Sequence, residues 1–155
     1  MRPGAGVKYL LHVVPKGVAG WLYSLDIVNR KAWGMGVPTP KRLRKRNDFQ
    51  TVRSLGQRVF CKSFVCQYYR FPQEQSVARR RLGVIASRRV GNAVKRNRGK
   101  RIIRELFRIH ESRLPQNCDV VIILRSCYSL YSFADMESHY LKACAAISKN
   151  GRFDT

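Results

Sequence analysis

The sequence predicts an α/β fold of the α+β sandwich type, in which one small sheet carries about three helices. Three observations point there. The apolar pattern runs helix, strands, helix, strand, helix along the chain, an order that packs helices onto a single sheet. The run Asp119–Leu124 (D-V-V-I-I-L) is almost continuously apolar, as expected of a central strand buried on both faces. The chain has 155 residues, 45% of them apolar, which suits one domain with its own core.

The elements follow in order. Residues 1–38 scatter Gly and Pro among short apolar patches and read as a weakly ordered extension, with a short helix near Trp21–Asn29. Met35 is a second candidate start, because the organised pattern begins just after it. Asn47 and Asp48 are N-cap candidates and Gly56 is a stop, so Asn47–Leu55 reads as a short helix with Phe49 and Val52 on one face. Phe64–Arg70 is an aromatic-rich strand, Phe71–Ala78 a loop, and Leu82–Ser87 a second strand. Asn92 caps a long helix that runs to about His110. Ser132 and Asp135 resemble a capping box, with Asp in place of the usual Glu. Phe133, Met136, Tyr140, Cys144 and Ile147 form the stripe of a last helix, which Asn150-Gly151 ends. A domain over 39–149 and a tail over 150–155 result.

Charge narrows the function. Thirty-one Lys and Arg against nine Asp and Glu give a net charge of +22. Such an excess adds nothing to the fold and repels itself, so the expected partner is a polyanion, nucleic acid before an anionic membrane. No apolar run approaches the ~18 residues that span a bilayer. Five cysteines without a C-x-x-C, and three histidines at no zinc spacing, read as reduced and mostly buried thiols of a cytoplasmic protein.

The long helix carries most of this charge. The window Arg79–Arg104 holds eleven Lys or Arg and no acid. With Val94 at zero and about 100 degrees per residue, Ile102, Ile103, Leu106 and Ile109 fall in an arc of about 60 to 180 degrees. Arg96, Asn97, Lys100, Arg101, Arg104 and Arg108 fall between about 200 and 340 degrees. Lys95 and Arg98 lie toward the core side, in the first two turns, so that end is expected to project beyond the sheet. A solvated helix usually mixes signs to gain i,i+4 pairs. Here Arg96, Lys100 and Arg104 repel at that spacing, and an external polyanion would offset the cost. The free N–H groups after Asn92 add a phosphate site.

G-N-A-V-x-R-N-R-x-K-R-x-x-R-E, at Gly91–Glu105, closely resembles the signature of the bacterial ribonuclease P protein family. The stretch Thr39–Phe49 (T-P-K-R-L-R-K-R-N-D-F) is similar to that family's start, and the resemblance covers roughly residues 39–149. It implies a compact sandwich with a small mixed sheet and a left-handed β-α-β crossover through the basic helix, where physical expectation alone favours the right hand.

It also implies a role. The family's protein is a non-catalytic subunit that binds a catalytic RNA, which removes the 5′ leader of precursor tRNA with Mg²⁺ held by RNA and substrate. The expected assembly is one protein on one RNA. By resemblance Arg88, Arg89, Asn92, Arg96, Asn97, Arg98, Lys100, Arg101 and Arg104 meet the catalytic RNA. Phe49, Arg53, Val65, Gln67 and Tyr69 line a cleft for the leader. Phe49 serves equally well as core packing. On the Phe64 strand Val65, Gln67 and Tyr69 share one face, and that face is the favoured cleft floor. Three positions depart from the family: Arg53 replaces a second cleft aromatic, Gln67 a frequent Tyr, and Gly99 a larger apolar residue. Gly99 costs about 1 kcal/mol against Ala and predicts a locally soft helix. Two other functions stand beside this one, a ribosomal or RNA-chaperone protein and a metal-dependent nuclease acting alone. Against the latter, Asp48, Glu74, Glu105, Glu111, Asp119 and Asp135 show no paired spacing for metal-dependent hydrolysis.

Overall fold

The computed structural model describes residues 36–72 and 79–149. Trp21–Asn29, most of the loop before residue 79 and the Asn150-Gly151 stop therefore lie outside the described residues. Helix α1 (Arg46–Leu55) leads into strand β1 (Gln57–Phe60) and its hairpin partner β2 (Phe64–Arg70). Strand β3 (Arg80–Ile85), helix α2 (Ala93–His110), strand β4 (Cys118–Leu124) and helix α3 (Phe133–Lys149) follow. The sheet order is β1-β2-β4-β3. β1 and β4 run antiparallel to β2, while β3 and β4 are parallel neighbours joined through α2. The sheet is thus mixed, with β4 inside it and six of its seven residues buried.

Alternation divides the sheet into two faces. Phe64, Cys66 and Tyr68 of β2, Val120, Ile122 and Leu124 of β4, and Leu82 of β3 belong to the main core. Ile103, Leu106 and Phe107 of α2 and Met136, Tyr140, Cys144 and Ile147 of α3 complete it. Val37 is also buried there, so the core takes in a residue two positions before Thr39. The opposite face meets α1 in a smaller cluster of Leu43, Val52 and Val121, with Phe49, Tyr69 and Ile123 packed against it. Of the five free cysteines, Cys66, Cys118 and Cys144 are buried. Burial pushes the Cys118 thiol up to about 12 and that of Cys144 up to about 11.

Several expectations need adjustment. α1 begins at Arg46 with Lys45 as an uncapped N-cap, so Asn47 and Asp48 lie inside the first turn and cap nothing. Gly56 has extended backbone (φ −83°) and no left-handed turn. It stops the helix through space: a Cβ there would sit 2.2 Å from the Val52 carbonyl oxygen and 2.6 Å from that of Tyr68. β3 runs Arg80–Ile85 instead of Leu82–Ser87, because Ser87 already introduces the turn Arg88–Val90. Strand β1 was not expected. Its residues are mostly exposed and only Val59 packs on the core, so it lacks the apolar alternation that announces a strand. At α3 the capping box forms. The Asp135 N–H donates to Ser132 Oγ at 3.1 Å, and the Ser132 N–H donates to Asp135 Oδ2 at 3.0 Å. The Ser132 hydroxyl and N–H hold the Asp135 carboxyl below its usual range. Phe133, expected in the stripe of α3, is 39% exposed.

The core arc of α2 is rotated from its expected position. Ile109 is 46% exposed, while Phe107, at about 220 degrees on the same wheel, is 1% exposed. Phe107 thus enters the core from the edge of the charged arc, between the directions of Arg96 and Lys100, and Ile109 falls at the helix end. Val94, Lys95 and Arg98 are all exposed, as befits a helix start that projects past its packing partners.

Candidate nucleic-acid interface

The run from Ser87 to the first turns of α2 is built to hold cations in place. Arg88 and Arg89 are exposed on a short turn anchored by buried Val90. Gly91 has φ +130°, a region that L side chains avoid, so glycine is required there. Asn92 caps α2, its Oδ1 accepting from the Lys95 N–H at 2.9 Å. Arg96 Nη1 donates to the Gly91 carbonyl at 2.7 Å, closing the turn from the other side. Two of the expected contact residues, Asn92 and Arg96, are thus spending hydrogen bonds on shaping the site. Asn97, Arg98 and Arg101 stand exposed, with Lys100 and Arg104 partly so.

Among the described residues no acid pairs with Arg88, Arg89, Lys100, Arg101 or Arg104. The acid on α2, Glu105, is taken by Arg108, whose Nε donates to it at 3.0 Å. Arg104 shows the crowding: burial, then the neighbouring charges of Arg42 and Arg101, lower its pKa. Arg42 comes from the segment before α1, which docks beside β3 through a bridge to Leu82. The sequence reading missed Arg42, since nothing local joins it to α2. Conversely, three members of the basic window serve inside the protein. Arg79 lies over the Phe71 ring at 4.3 Å, and Arg80 Nε donates to the Leu114 carbonyl at 2.8 Å. Arg81 forms the clamp described below.

Gly99 is buried against β4 and the turn Ser126–Leu130. A Cβ there would meet Leu124 Cδ1 at 2.7 Å and the Tyr128 ring at 2.9 Å. The Tyr128 hydroxyl donates to the Lys95 carbonyl. The position is therefore a fitted contact and not the soft spot expected from its propensity: Tyr128 fills the volume that a larger residue would take.

The second surface lies on the other face of the sheet, beneath α1. Val65, Gln67 and Tyr69 do face this side. Val65 and Tyr69 are half-buried, Gln67 is 8% exposed, and the Gln67 amide makes no side-chain hydrogen bond among the described residues. Phe49 is half-buried over Gly83, where a Cβ would come within 2.6 Å of its ring. A glycine inside a strand signals such a close approach. Phe49 therefore packs, and still borders the cleft. Arg53 is exposed, one helical turn after Phe49 on the same stripe of α1.

At one end of this face α1, β3 and β4 are tied together. Arg81 Nε donates to Asp119 Oδ1 at 2.9 Å, and Arg81 Nη1 and Nη2 each donate to Asp48 at 3.3 Å. Asp119 is 1% exposed. Its bidentate bond to Arg81, more than any other influence, raises the arginine's pKa. Asp48 and Asp119, distant in sequence, thus converge, but on one guanidinium that bridges them. Among the described residues no three His, Cys, Asp or Glu side chains come together as a metal site.

A small α+β domain with a crowded basic turn and helix start, and a partly apolar sheet face beneath α1, has the charge pattern of a protein that binds a polyanion. The family model described as Ribonuclease P matches residues 37–148. The chain belongs to the ribonuclease P protein family. It is 36% identical to the ribonuclease P protein component of Desulforamulus reducens, over 69% of this chain and 91% of that one. Against that of Shouchella clausii the identity is also 36%, over 70% and 88%. The Staphylococcus aureus RNase P protein superposes with a TM-score of 0.59 at 31% identity, covering 70% of this chain and 95% of that chain. For the Thermotoga maritima RNase P protein the values are 0.60, 28%, 68% and 96%. The protein is accordingly a subunit of ribonuclease P, the holoenzyme that cleaves tRNA precursors, and its associations are with the enzyme's RNA and with the precursor.

Proposed function

We propose that the two surfaces divide the work, the turn and α2 gripping the catalytic RNA and the cleft under α1 guiding the 5′ leader. The observation that carries this reading is the contrast in charge: Arg88, Arg89, Lys100, Arg101 and Arg104 without acid partners among the described residues on the first surface, a clamped and partly apolar floor on the second. Exposed Arg88, Arg89, Arg98 and Arg101, with Lys100 and Arg104, offer phosphate contacts, and the arginines can make them bidentate. They also screen the leader's phosphates from those of the catalytic RNA. In the cleft, Phe49 and Tyr69 offer ring faces and Gln67 an amide to unpaired bases. Mg²⁺ stays with the RNA and the substrate, whose phosphate oxygens suit a hard cation better than a surface of guanidinium groups. One protein works on one RNA, in the cytoplasm. Among the described residues no helix is long and apolar enough to cross a membrane.

Reconstitution tests the reading. Purified protein, its RNA and a precursor tRNA are combined at low Mg²⁺. Protein alone is expected to leave the precursor intact, and addition of protein to the RNA to speed leader removal. Phe49→Ala is expected to weaken binding of leader-bearing precursor more than of mature tRNA. Cleavage by protein alone, or equal losses for both substrates, would refute it.

A further inference from the structure

The strand pairing places an exposed aromatic, Phe60, on the edge strand of the face beneath α1. Residues paired directly across a sheet share a face. Phe60 pairs with Val65, Val65 with Ile123, and Ile123 with Ile85. These four residues form one apolar row across all four strands, on the face that carries the cleft floor. The next row holds Arg58, Gln67, Val121 and Gly83. α1 covers the second row at Val121 and Gly83, but leaves the first row open toward both edges. Ile85 is 38% exposed and Phe60 is 73% exposed. Phe60 is the most exposed aromatic of this face, since Phe49 and Tyr69 are half-buried. Arg58, exposed and two residues earlier on the same strand, presents a guanidinium to the same side.

What would occupy such a row is decided by charge. The acid on this face, Asp119, is bound to Arg81 at the far end of the strands. A second copy of the chain would bring another +22 against it. A ring face beside arginine on an open strand suits unpaired nucleotides, whose bases stack and whose phosphates bind the cation. The row is continuous with Val65 on the cleft floor.

We propose that Phe60, with Arg58, extends the leader cleft across the edge strand and stacks one further unpaired nucleotide of the leader. The inference rests on the cleft reading above. It makes Phe60 a specificity element for leader length: a leader that reaches β1 gains a contact that a shorter one lacks.

The test uses the reconstituted holoenzyme and precursors whose leaders are shortened stepwise from the 5′ end. Affinity is measured for the wild type, Phe60→Ala and Phe60→Trp. The wild type is expected to gain affinity as the leader lengthens. Phe60→Ala should lose the last of that gain, roughly five- to 150-fold for one stacked base. Phe60→Trp should keep it, and mature tRNA should bind all three alike. The side chain is exposed, so the variants should melt with the wild type. Wild-type affinity that ignores leader length would overturn the cleft reading itself. Leader dependence that survives intact in Phe60→Ala would overturn the extension alone. A loss equal for every leader and for mature tRNA would assign Phe60 to the catalytic RNA instead, and a dimer abolished by Phe60→Ala would assign it to a second copy. Either result ends the proposal.

Discussion

The turn before α2 and the face beneath α1, the two surfaces proposed to meet RNA, treat charge in opposite ways. Around α2 the cations Arg88, Arg89, Lys100, Arg101 and Arg104 pair with no acid among the described residues, while hydrogen bonds at Asn92 and from Arg96 hold the backbone that carries them. Beneath α1, Arg81 is bound by Asp48 and Asp119, and the floor is left to Val65, Gln67, Tyr69 and the row ending at Phe60. A folded RNA presents phosphates at its surface, so a site for it gains from bare cations. An unpaired strand presents bases as well, so a site for it gains from rings and open apolar surface. The contrast teaches that a positive net charge alone does not locate an RNA site; the state of pairing of each cation does.

Three substitutions sharpen the contrast, in order of expected effect. Asp119→Ala removes the buried partner of Arg81 and should cost about 3–5 kcal/mol in a denaturant melt. A loss below about 1 kcal/mol would show that the clamp does not hold the cleft. Next comes Gly99→Ile, which forces a branched side chain into Leu124 and Tyr128 and should cost about 1–3 kcal/mol. Combining it with Tyr128→Ala should cost less than the sum of the single changes, as neighbours sharing one volume do; simple additivity would mean that the clash is relieved elsewhere. Smallest in stability, but diagnostic, is Arg101→Ala. It should leave the melt unchanged and lower the salt slope of RNA binding by about 0.7–0.9, the share of one phosphate contact. An unchanged slope would place Arg101 toward solvent.

Much of this architecture was legible in the chain. Strand β2 occupies the same seven residues that its aromatic pattern marked, and β4 was readable from its unbroken apolar run. Asn92, Ser132 and Asp135 announced their helix starts because capping is local chemistry. What was not legible is non-local. Strand β1 exists because β2 pairs with it, and Phe60 matters because of the residue opposite it. The role of Arg79, Arg80 and Arg81 depends on Phe71, Leu114, Asp48 and Asp119, which a count of charges along the chain cannot see. The burial of Phe107 in place of Ile109 was not legible either, because Ile109 keeps its apolar spacing but sits in the last turn of α2. The likeness of Gly91–Glu105 to one family supplied what spacing alone could not, the kind of RNA.

The clamp on α1 has a consequence for how the domain comes apart. Among the described residues, twenty are buried in the core shared by the sheet with α2 and α3, against three in the cluster under α1. α1 itself contributes one fully buried side chain, Val52. Its attachment rests on a valine, a phenylalanine ring over Gly83 and the two carboxylates that meet at Arg81. Regions with few buried apolar contacts open at a lower free energy than the rest of a fold. The wall of the cleft is therefore the part of this domain that detaches first, and its amide protons should exchange with solvent while those of β4 remain protected.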